Sequence, residues 1–202
     1  MSVDYKFYSK IFYEHFDLTF GRPQIDSCCK CEELSIKIKN SSLNDVSKRV
    51  YVAEHLVHKR RSKKFFKAIE NIRQECLTDE KVGGICMDFM QNLQLPQIPV
   101  QEIFYLRQLT VNVFNIHDVA INKAKFYVYH EGLAKKGPNE ICSFLLDYFN
   151  EVLDAGIKHL HVFSDGAPEQ NKNTVVVGFF LTLIENGRFD SIHHYFPIRG
   201  HS

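Results

Sequence analysis

Several features of common protein classes are missing from this 202-residue sequence. No apolar run is long enough to cross a bilayer, because the longest ones, such as 175–184, reach only about half of the roughly 20 residues that a transmembrane helix needs. The amino-terminal stretch also lacks the apolar core of a secretory signal. We therefore expect no membrane association and a reducing, intracellular setting, in which the six cysteines are thiols or metal ligands rather than disulfides.

The phosphate-binding motifs of nucleotide enzymes are absent as well. There is no G-x-G-x-x-G and no G-x4-G-K-[S/T], and the run Lys135-Lys136-Gly137 is too short a match. The adjacent pair His193-His194 is no better evidence for a hydrolase, because neighbouring residues of a strand point to opposite faces. A nucleotide-binding α/β enzyme is therefore disfavoured.

The basic residues that are present are concentrated in one segment. Between residues 48 and 67 there are eight Lys or Arg residues and one acid, a net charge of +7 in a chain whose total is +1. Such a segment on an otherwise acidic chain suggests contact with a polyanion, although a simple solvated helix face is the alternative. The candidate contact residues are Lys59, Arg60, Arg61, Lys63 and Lys64.

Cysteine and histidine residues near this segment have metal-ligand spacing. Cys28 and Cys31 form a C-x2-C pair, which lets two thiolates from one turn reach a single tetrahedral metal ion. His55 and His58 lie three residues apart on a helix expected to begin near Ser42, so they share one face. We interpret the four residues as a Cys2His2 zinc site. The alternative is that the cysteines are free and both histidines are merely exposed.

Hydrophobic patterning divides the chain near residue 80 into a helical segment, 1–80, and an α/β segment, 81–202. The second segment is predicted to run β-β-β-α-β-α-β. The predicted strands are 82–90, 103–114, 125–131, 157–163 and 189–196, and the predicted helices are 138–155 and 174–185.

Two acids of this segment lie within or just after predicted strands. Asp88 lies in an otherwise apolar strand, where a carboxylate is costly unless it is paired or bound to a cation. Asp165 follows a short, buried strand and lies in a loop rich in Gly, Pro and Asn, where open α/β sheets place their ligands. The alternative is that backbone amides satisfy Asp88 and that Asp165 only caps a turn. Acids on the first and fourth strands resemble the arrangement in the RNase H-like fold.

A set of short motifs extends this resemblance over nearly the whole chain. The motifs are Cys28-x2-Cys31, Cys86-Met-Asp88-Phe, Tyr105-Leu-Arg-Gln-Leu, Phe114-Asn-Ile-His-Asp118, Glu131-Gly-Leu-Ala-Lys-Lys-Gly-Pro-Asn-Glu140, Ser164-Asp165-Gly, Gln170-Asn-Lys-Asn173 and Arg199-Gly-His-Ser202. Together they resemble transposon-derived animal proteins, insect ones included, that carry a zinc-like Cys/His segment ahead of an RNase H-like DDE/D transposase domain.

The resemblance implies a function and the residues for it. Asp88 and Asp165 would hold Mg²⁺ or Mn²⁺ for phosphoryl transfer on DNA in the nucleus, and Gln170 and Asn171 would line the site. In such domains a further acid follows the Gly-His-Ser/Thr turn, whereas this sequence stops at Ser202, and Glu131 is a weak substitute. We therefore expect a truncated transposase core with little or no activity. The alternative is a non-catalytic, host-retained protein that binds nucleic acid or another protein.

Overall fold

A computed structural model describes residues 4–16 and 27–201 of the chain. Its elements, in chain order, are α1 (Tyr5–His15), α2 (Cys29–Lys39), α3 (Asp45–Thr78), β1 (Val82–Phe89), β2 (Leu93–Leu95), α4 (Gln101–Tyr105), β3 (Leu109–Asp118), β4 (Lys123–His130), α5 (Pro138–Glu151), β5 (His159–Ser164), α6 (Thr174–Glu185) and β6 (Ser191–Tyr195). None of the helices within these described ranges is long and apolar enough to cross a membrane.

The described strands form one mixed, six-stranded sheet. Its order is β2-β3-β1-β5-β6, and β4 also pairs with β3. β3 runs antiparallel to β1 and to β4, whereas β5 is parallel to β1 on one side and to β6 on the other. This α/β arrangement is compatible with the RNase H-like fold that the sequence led us to expect.

Side-chain caps begin the three long helices around the sheet. The Asn44 side chain accepts a hydrogen bond from the Ser47 amide at the start of α3, two residues after Ser42, near which the sequence predicted that this helix begins. Pro138 occupies the first turn of α5, and the Glu140 carboxylate accepts a hydrogen bond from the Gly137 amide. The Asn173 side chain accepts from two backbone amides at the start of α6.

Each face of the central strands is covered by a different set of helices. On one face, Ile85 and Met87 of β1 belong to the main core with buried residues of α5 and α6. On the other face, Phe163 of β5 packs with Ile72 and Phe65 of α3. The central strands are therefore covered on both sides, so a side chain on them can reach solvent only near a strand end.

Gly84 permits the close approach of α3 to β1. A Cβ atom at this position would lie 2.5 Å from Cγ2 of Val119 and 2.9 Å from Cγ2 of Ile72. Contacts this short do not occur between carbon atoms in relaxed structures, so the helix can pack here only against a residue without a side chain.

The segment before β3 differs from the sequence-based prediction. A single strand was predicted over 103–114, whereas the structure has α4 over Gln101–Tyr105 and starts β3 at Leu109. The short strand β2 was not predicted. Apolar and polar residues alternate regularly only from Leu109 onward. The residues 103–108 before it lack the two-residue period of a strand, so the strand prediction was wrong for them.

The amino-terminal stretch 1–24, which is rich in Phe and Tyr, is described only in part. Residues 4–16 are covered and residues 17–26 lie outside the described ranges. Within the covered part, α1 has no buried residue, and Tyr5, Phe7 and Tyr13 are exposed.

We predict that Gly84→Ala destabilises the protein by about 1–3 kcal/mol, because the added methyl group overpacks the contact between α3 and β1. The matched control is Gly178→Ala in α6, where a Cβ atom would meet nothing within 4 Å. This control should be neutral or stabilising by up to about 1 kcal/mol. Urea denaturation of both variants checks the prediction, and equal stabilities would contradict the packing described here.

Candidate active site and metal centre

Asp88 and Asp165 lie at the ends of two neighbouring parallel strands. In the β1–β5 ladder Cys86 is opposite Phe163 and Met87 is opposite Ser164, so continuing the same register places Asp88 opposite Asp165. Residues two apart on a strand point to the same face. Cys86 and Phe163 face α3, so both carboxylates emerge on that side of the sheet, just beyond the region that the helix covers.

The two carboxylates interact electrostatically. The pKa of Asp88 is raised above its ordinary value, first because neighbouring atoms remove water from its carboxyl group and second because of the negative charge of Asp165. A hydrogen bond from the Phe89 amide and the charge of Lys136 act in the opposite direction without cancelling this effect. A cation between the carboxylates would relieve their repulsion.

The loop after β5 holds Asp165 in place. One carboxylate oxygen, Oδ1, accepts hydrogen bonds from Nδ2 of Asn171 at 2.6 Å and from the amide of Ala167 at 3.2 Å. Asn171 is 1% exposed, so its side chain is fixed by packing as well as by this bond. The second carboxylate oxygen of Asp165 makes no hydrogen bond among those described for the chain.

Two amide oxygens near the carboxylates have no hydrogen-bond donor among the residues that the structure describes. Asn115 is the partner of Asp88 across the β1–β3 ladder, and side chains directly opposite each other emerge on the same face. Within the described part of the chain, Oδ1 of Asn115 and Oδ1 of Asn171 are buried and have no hydrogen-bond partner. Carboxylate and amide oxygens are the ligand types that Mg²⁺ and Mn²⁺ accept, so the donor set here fits such an ion.

The end of β5 is also tied to β6. The Ser164 hydroxyl lies 2.8 Å from Nε2 of His194. Burial lowers the pKa of His194 to about 4, so its ring is neutral at physiological pH. This pair fixes the strand end that carries Asp165 and adds no charge to the site.

A second cluster, the Cys/His group, consists of Cys28, Cys31, His58 and His201. One ligand atom from each residue lies within 4.8 Å of all the others. The sulfur of Cys28 is 3.2 Å from Nε2 of His58, the sulfur of Cys31 is 3.4 Å from Nε2 of His201, and the two Nε2 atoms are 3.1 Å apart. Two sulfurs and two imidazole nitrogens at this separation can hold a tetrahedral metal ion such as zinc.

The Cys/His group joins three distant parts of the chain. Its residues come from the start of α2, the middle of α3 and the turn that follows β6. Gly200 adopts φ +85°, and a Cβ atom there would lie 2.9 Å from the sulfur of Cys28. Two features of this position therefore favour glycine, namely the positive φ angle of the backbone and the close contact with Cys28.

Burial and neighbouring groups shift the pKa values of two residues of the group. Burial and the neighbouring Cys28 thiol raise the pKa of Cys31. Burial, with His201 and His55 nearby, lowers the pKa of His58. A neutral imidazole nitrogen is the form that binds metal, whereas the thiol must lose its proton to the ion.

The structure replaces one of the four zinc ligands that the sequence suggested. His55 is not in the described Cys/His group, and His201, which is 143 residues from His58, takes the fourth place. Nε2 of His55 is buried and has no hydrogen-bond partner among the described residues.

Two further residues that the sequence suggested, Gln170 and Glu131, have no described side-chain contact with the carboxylate pair. Gln170 forms the turn before α6 through its backbone, and no side-chain contact with Asp165 is described for it. Glu131 lies beyond β4, which β3 separates from β1, and it faces Arg107 and the Thr110 amide. The motif Phe114-Asn-Ile-His-Asp118 contains Asn115, but the sequence analysis gave this residue no role, although a polar residue within an apolar, alternating strand was a usable signal.

The basic residues of α3 lie at the carboxylate end of the sheet. Ile72 of α3 packs near Gly84, early in β1, whereas Phe65 packs on Phe163 at the end of β5, with ring centroids 5.8 Å apart. The helix therefore runs antiparallel to these strands, and residues before Phe65 extend past their ends. The exposed basic residues of this stretch are Lys59, Arg60, Arg61, Lys63 and Lys64.

Comparisons with known proteins add little to this geometry. No protein-family model matches the chain, and no curated protein matches it either. One solved structure, described as the crystal structure of the Mos1 strand transfer complex, aligns at 10% identity with a TM-score of 0.34. The alignment covers 94% of this chain and 64% of that one. At this TM-score the shared backbone geometry is too small for the likeness to identify a fold or an activity.

Proposed function

We propose that this chain carries a DDE/D transposase-type core for metal-dependent phosphoryl transfer on DNA in the nucleus, with Asp88 and Asp165 as its metal ligands. Because such cores use a further acid beside these two, we expect little or no activity from this chain on its own. The observation that carries the proposal is the pairing of β1 with β5, which brings two carboxylates opposite each other at one sheet edge. Their side chains emerge where the cover of α3 ends, so a substrate can reach them.

The chemistry of such a pair is well defined. Two divalent ions held by carboxylates activate a water molecule or a 3′-hydroxyl and stabilise the leaving oxygen during an in-line displacement. Here Asp88 and Asp165 would hold the ions, Asn171 would orient Asp165, and the unpartnered amide oxygen of Asn115 would supplement the donor set. A small number of oxygen ligands from the protein leaves coordination positions of Mg²⁺ or Mn²⁺ open for phosphate oxygens and water.

Binding of Mn²⁺ tests this proposal directly. We predict that Asp88→Asn and Asp165→Asn each weaken Mn²⁺ binding about 10-fold or more, because each removes a charged ligand. Titration followed by electron paramagnetic resonance of free Mn²⁺ measures the affinity. Any Mn²⁺-dependent nicking of supercoiled plasmid by the same preparation should disappear in Asp165→Asn.

The control for this experiment is Asp190→Asn, an exposed acid that precedes β6. It should bind Mn²⁺ as the parent protein does. Equal Mn²⁺ affinity in the parent and in both site variants would show that the carboxylate pair is not a metal site, and the proposed activity would fail with it.

We further propose that the Cys/His group binds zinc and that this zinc is structural. Four protein ligands complete a tetrahedral coordination sphere, which leaves no position for a reacting water molecule. The ion would connect α2 and α3 to the turn after β6 through one strong linkage.

We predict that the purified protein contains about one zinc ion per chain and that Cys28→Ser or His58→Ala removes it, with a lower melting temperature. The chain supplies matched controls, because Cys29 is an exposed neighbour of Cys28, and His55 lies one turn before His58. Elemental analysis should find zinc retained in Cys29→Ser and in His55→Ala. Loss of zinc from His55→Ala but not from His201→Ala would restore the assignment that the sequence spacing suggested.

A second function, a non-catalytic nucleic-acid-binding protein, is favoured by one specific observation. The exposed cationic cluster of α3 lies beside the Cys/His group, close enough for Lys59 to influence the titration of Cys31 and for Arg61 to influence that of His58. A rigid helix with several exposed cations can bind a phosphate backbone whether or not the carboxylates act.

This binding should depend strongly on salt. A variant that carries Gln at all five basic positions, Lys59, Arg60, Arg61, Lys63 and Lys64, should bind duplex DNA more weakly. The slope of log affinity against log salt concentration should become less steep by about 0.9 for each phosphate contact that is lost. Asp88→Asn should leave the binding unchanged when no divalent ion is added. Fluorescence anisotropy measures both. An unchanged slope in the neutralised variant would exclude the α3 cluster as the binding surface.

A further inference from the structure

A cleft of about 560 Å³ lies between the Asp165 loop and the segment that follows β6. Residues 165–168 and Lys172 form one wall, and residues 196–200 form the other. This volume is in the range of sites that hold small ligands or a single unit of a polymer. Asp165 is one of the residues that line the cleft, so a ligand in the cleft would lie next to the proposed metal ions.

Both walls of the cleft are held in position. The first wall is fixed by the bond between Asn171 and Asp165 and by a bond from the Lys172 amide to the Ala167 carbonyl at 3.0 Å. The second wall meets the Cys/His group, where the thiol of Cys28 lies 3.8 Å from the Arg199 carbonyl and packs against Gly200. The cleft is thus built from two braced loops.

The charges on the two walls favour an anionic ligand. Lys172 and Arg199 line opposite walls, and neither makes a described ion pair with an acid of the protein. The ammonium group of Lys172 lies 5.2 Å from the centroid of the Phe196 ring, a cation–π contact that holds it across the cleft. Asp165 is the single acid in the lining. Its charge would repel a phosphate unless a divalent cation bridged the two.

We infer that this cleft binds the phosphodiester backbone of a nucleic-acid strand beside the carboxylate pair, with Lys172 and Arg199 contacting phosphate oxygens from opposite walls. The inference rests on the proposed function for the identity of the ligand. Arg can engage a phosphate with two parallel hydrogen bonds, and Lys acts as a point charge. A divalent ion on Asp165 would share the same phosphate, so binding of the strand and of the metal should reinforce each other.

The experiment uses the full chain and a fluorescent single-stranded oligonucleotide of about five nucleotides, which is too short to span a large surface. Affinity is measured by anisotropy over a range of salt concentrations, with and without Ca²⁺, which binds oxygen ligands. Lys172→Gln and Arg199→Gln should each weaken binding and reduce the log–log salt slope by about 0.7, the value for one phosphate contact on a single strand. The charge-retaining variants Lys172→Arg and Arg199→Lys should keep the parental slope.

The matched control is Lys81→Gln, which removes an exposed lysine just before β1, at the opposite edge of the sheet. It should bind the oligonucleotide as the parent does. Ca²⁺ should strengthen binding by the parent and should have no effect on Asp165→Asn. Zinc content and melting temperature, measured on every variant, confirm that the walls remain folded.

Each outcome separates this inference from the proposed function. If Lys172→Gln and Arg199→Gln behave as Lys81→Gln does, the cleft does not bind the strand, even when Mn²⁺ binds the carboxylate pair normally. If the two variants lose affinity while Mn²⁺ binding is absent from the parent, the cleft is a strand-binding site and the phosphoryl-transfer proposal fails.

Discussion

The parallel pairing of β1 with β5 is the constraint on which the rest of this structure depends. Its register, continued by one residue, places Asp88 opposite Asp165, and it creates a pair of strands with hydrophobic core residues on both faces. Two apolar faces need two covers, which α5 and α6 supply on one side and α3 on the other. A carboxylate within such strands is tolerated only where the cover ends. The position of the candidate site therefore follows from the packing of the sheet.

The same packing brings the amino-terminal helices to this edge. Gly84 allows α3 to lie directly on β1, and the antiparallel course of the helix carries its basic segment past the strand ends. The Cys/His group then ties α2 and α3 to the turn after β6. Segments that are far apart in the chain thus meet at a single edge of the sheet, where the cations of α3 and the wall of the cleft both adjoin the Cys/His group.

Local patterns in the sequence were sufficient for much of this. Helix α6 has the predicted bounds, Pro138 marks the start of α5, and the acid in β1 drew attention because its neighbours are apolar. His201 could not be found in this way, because a spacing of three residues reports only a shared helix face, whereas the choice between His55 and His201 depends on a contact 143 residues away. Asn115 became significant only when the strand register placed it opposite Asp88.

The two candidate metal sites differ in the chemistry of their ligands, so they are suited to different metal ions. Thiolate and imidazole ligands in a closed, four-membered group select zinc, whereas carboxylate and amide oxygens at an open edge suit Mg²⁺ or Mn²⁺. The segment 196–201 contributes to both places, because Arg199 lines the cleft beside Asp165 and His201 completes the Cys/His group. Under the proposed function, an ion beside Asp165 would exchange with the substrate, whereas a zinc ion in the Cys/His group would stay bound and hold the wall of the cleft in place.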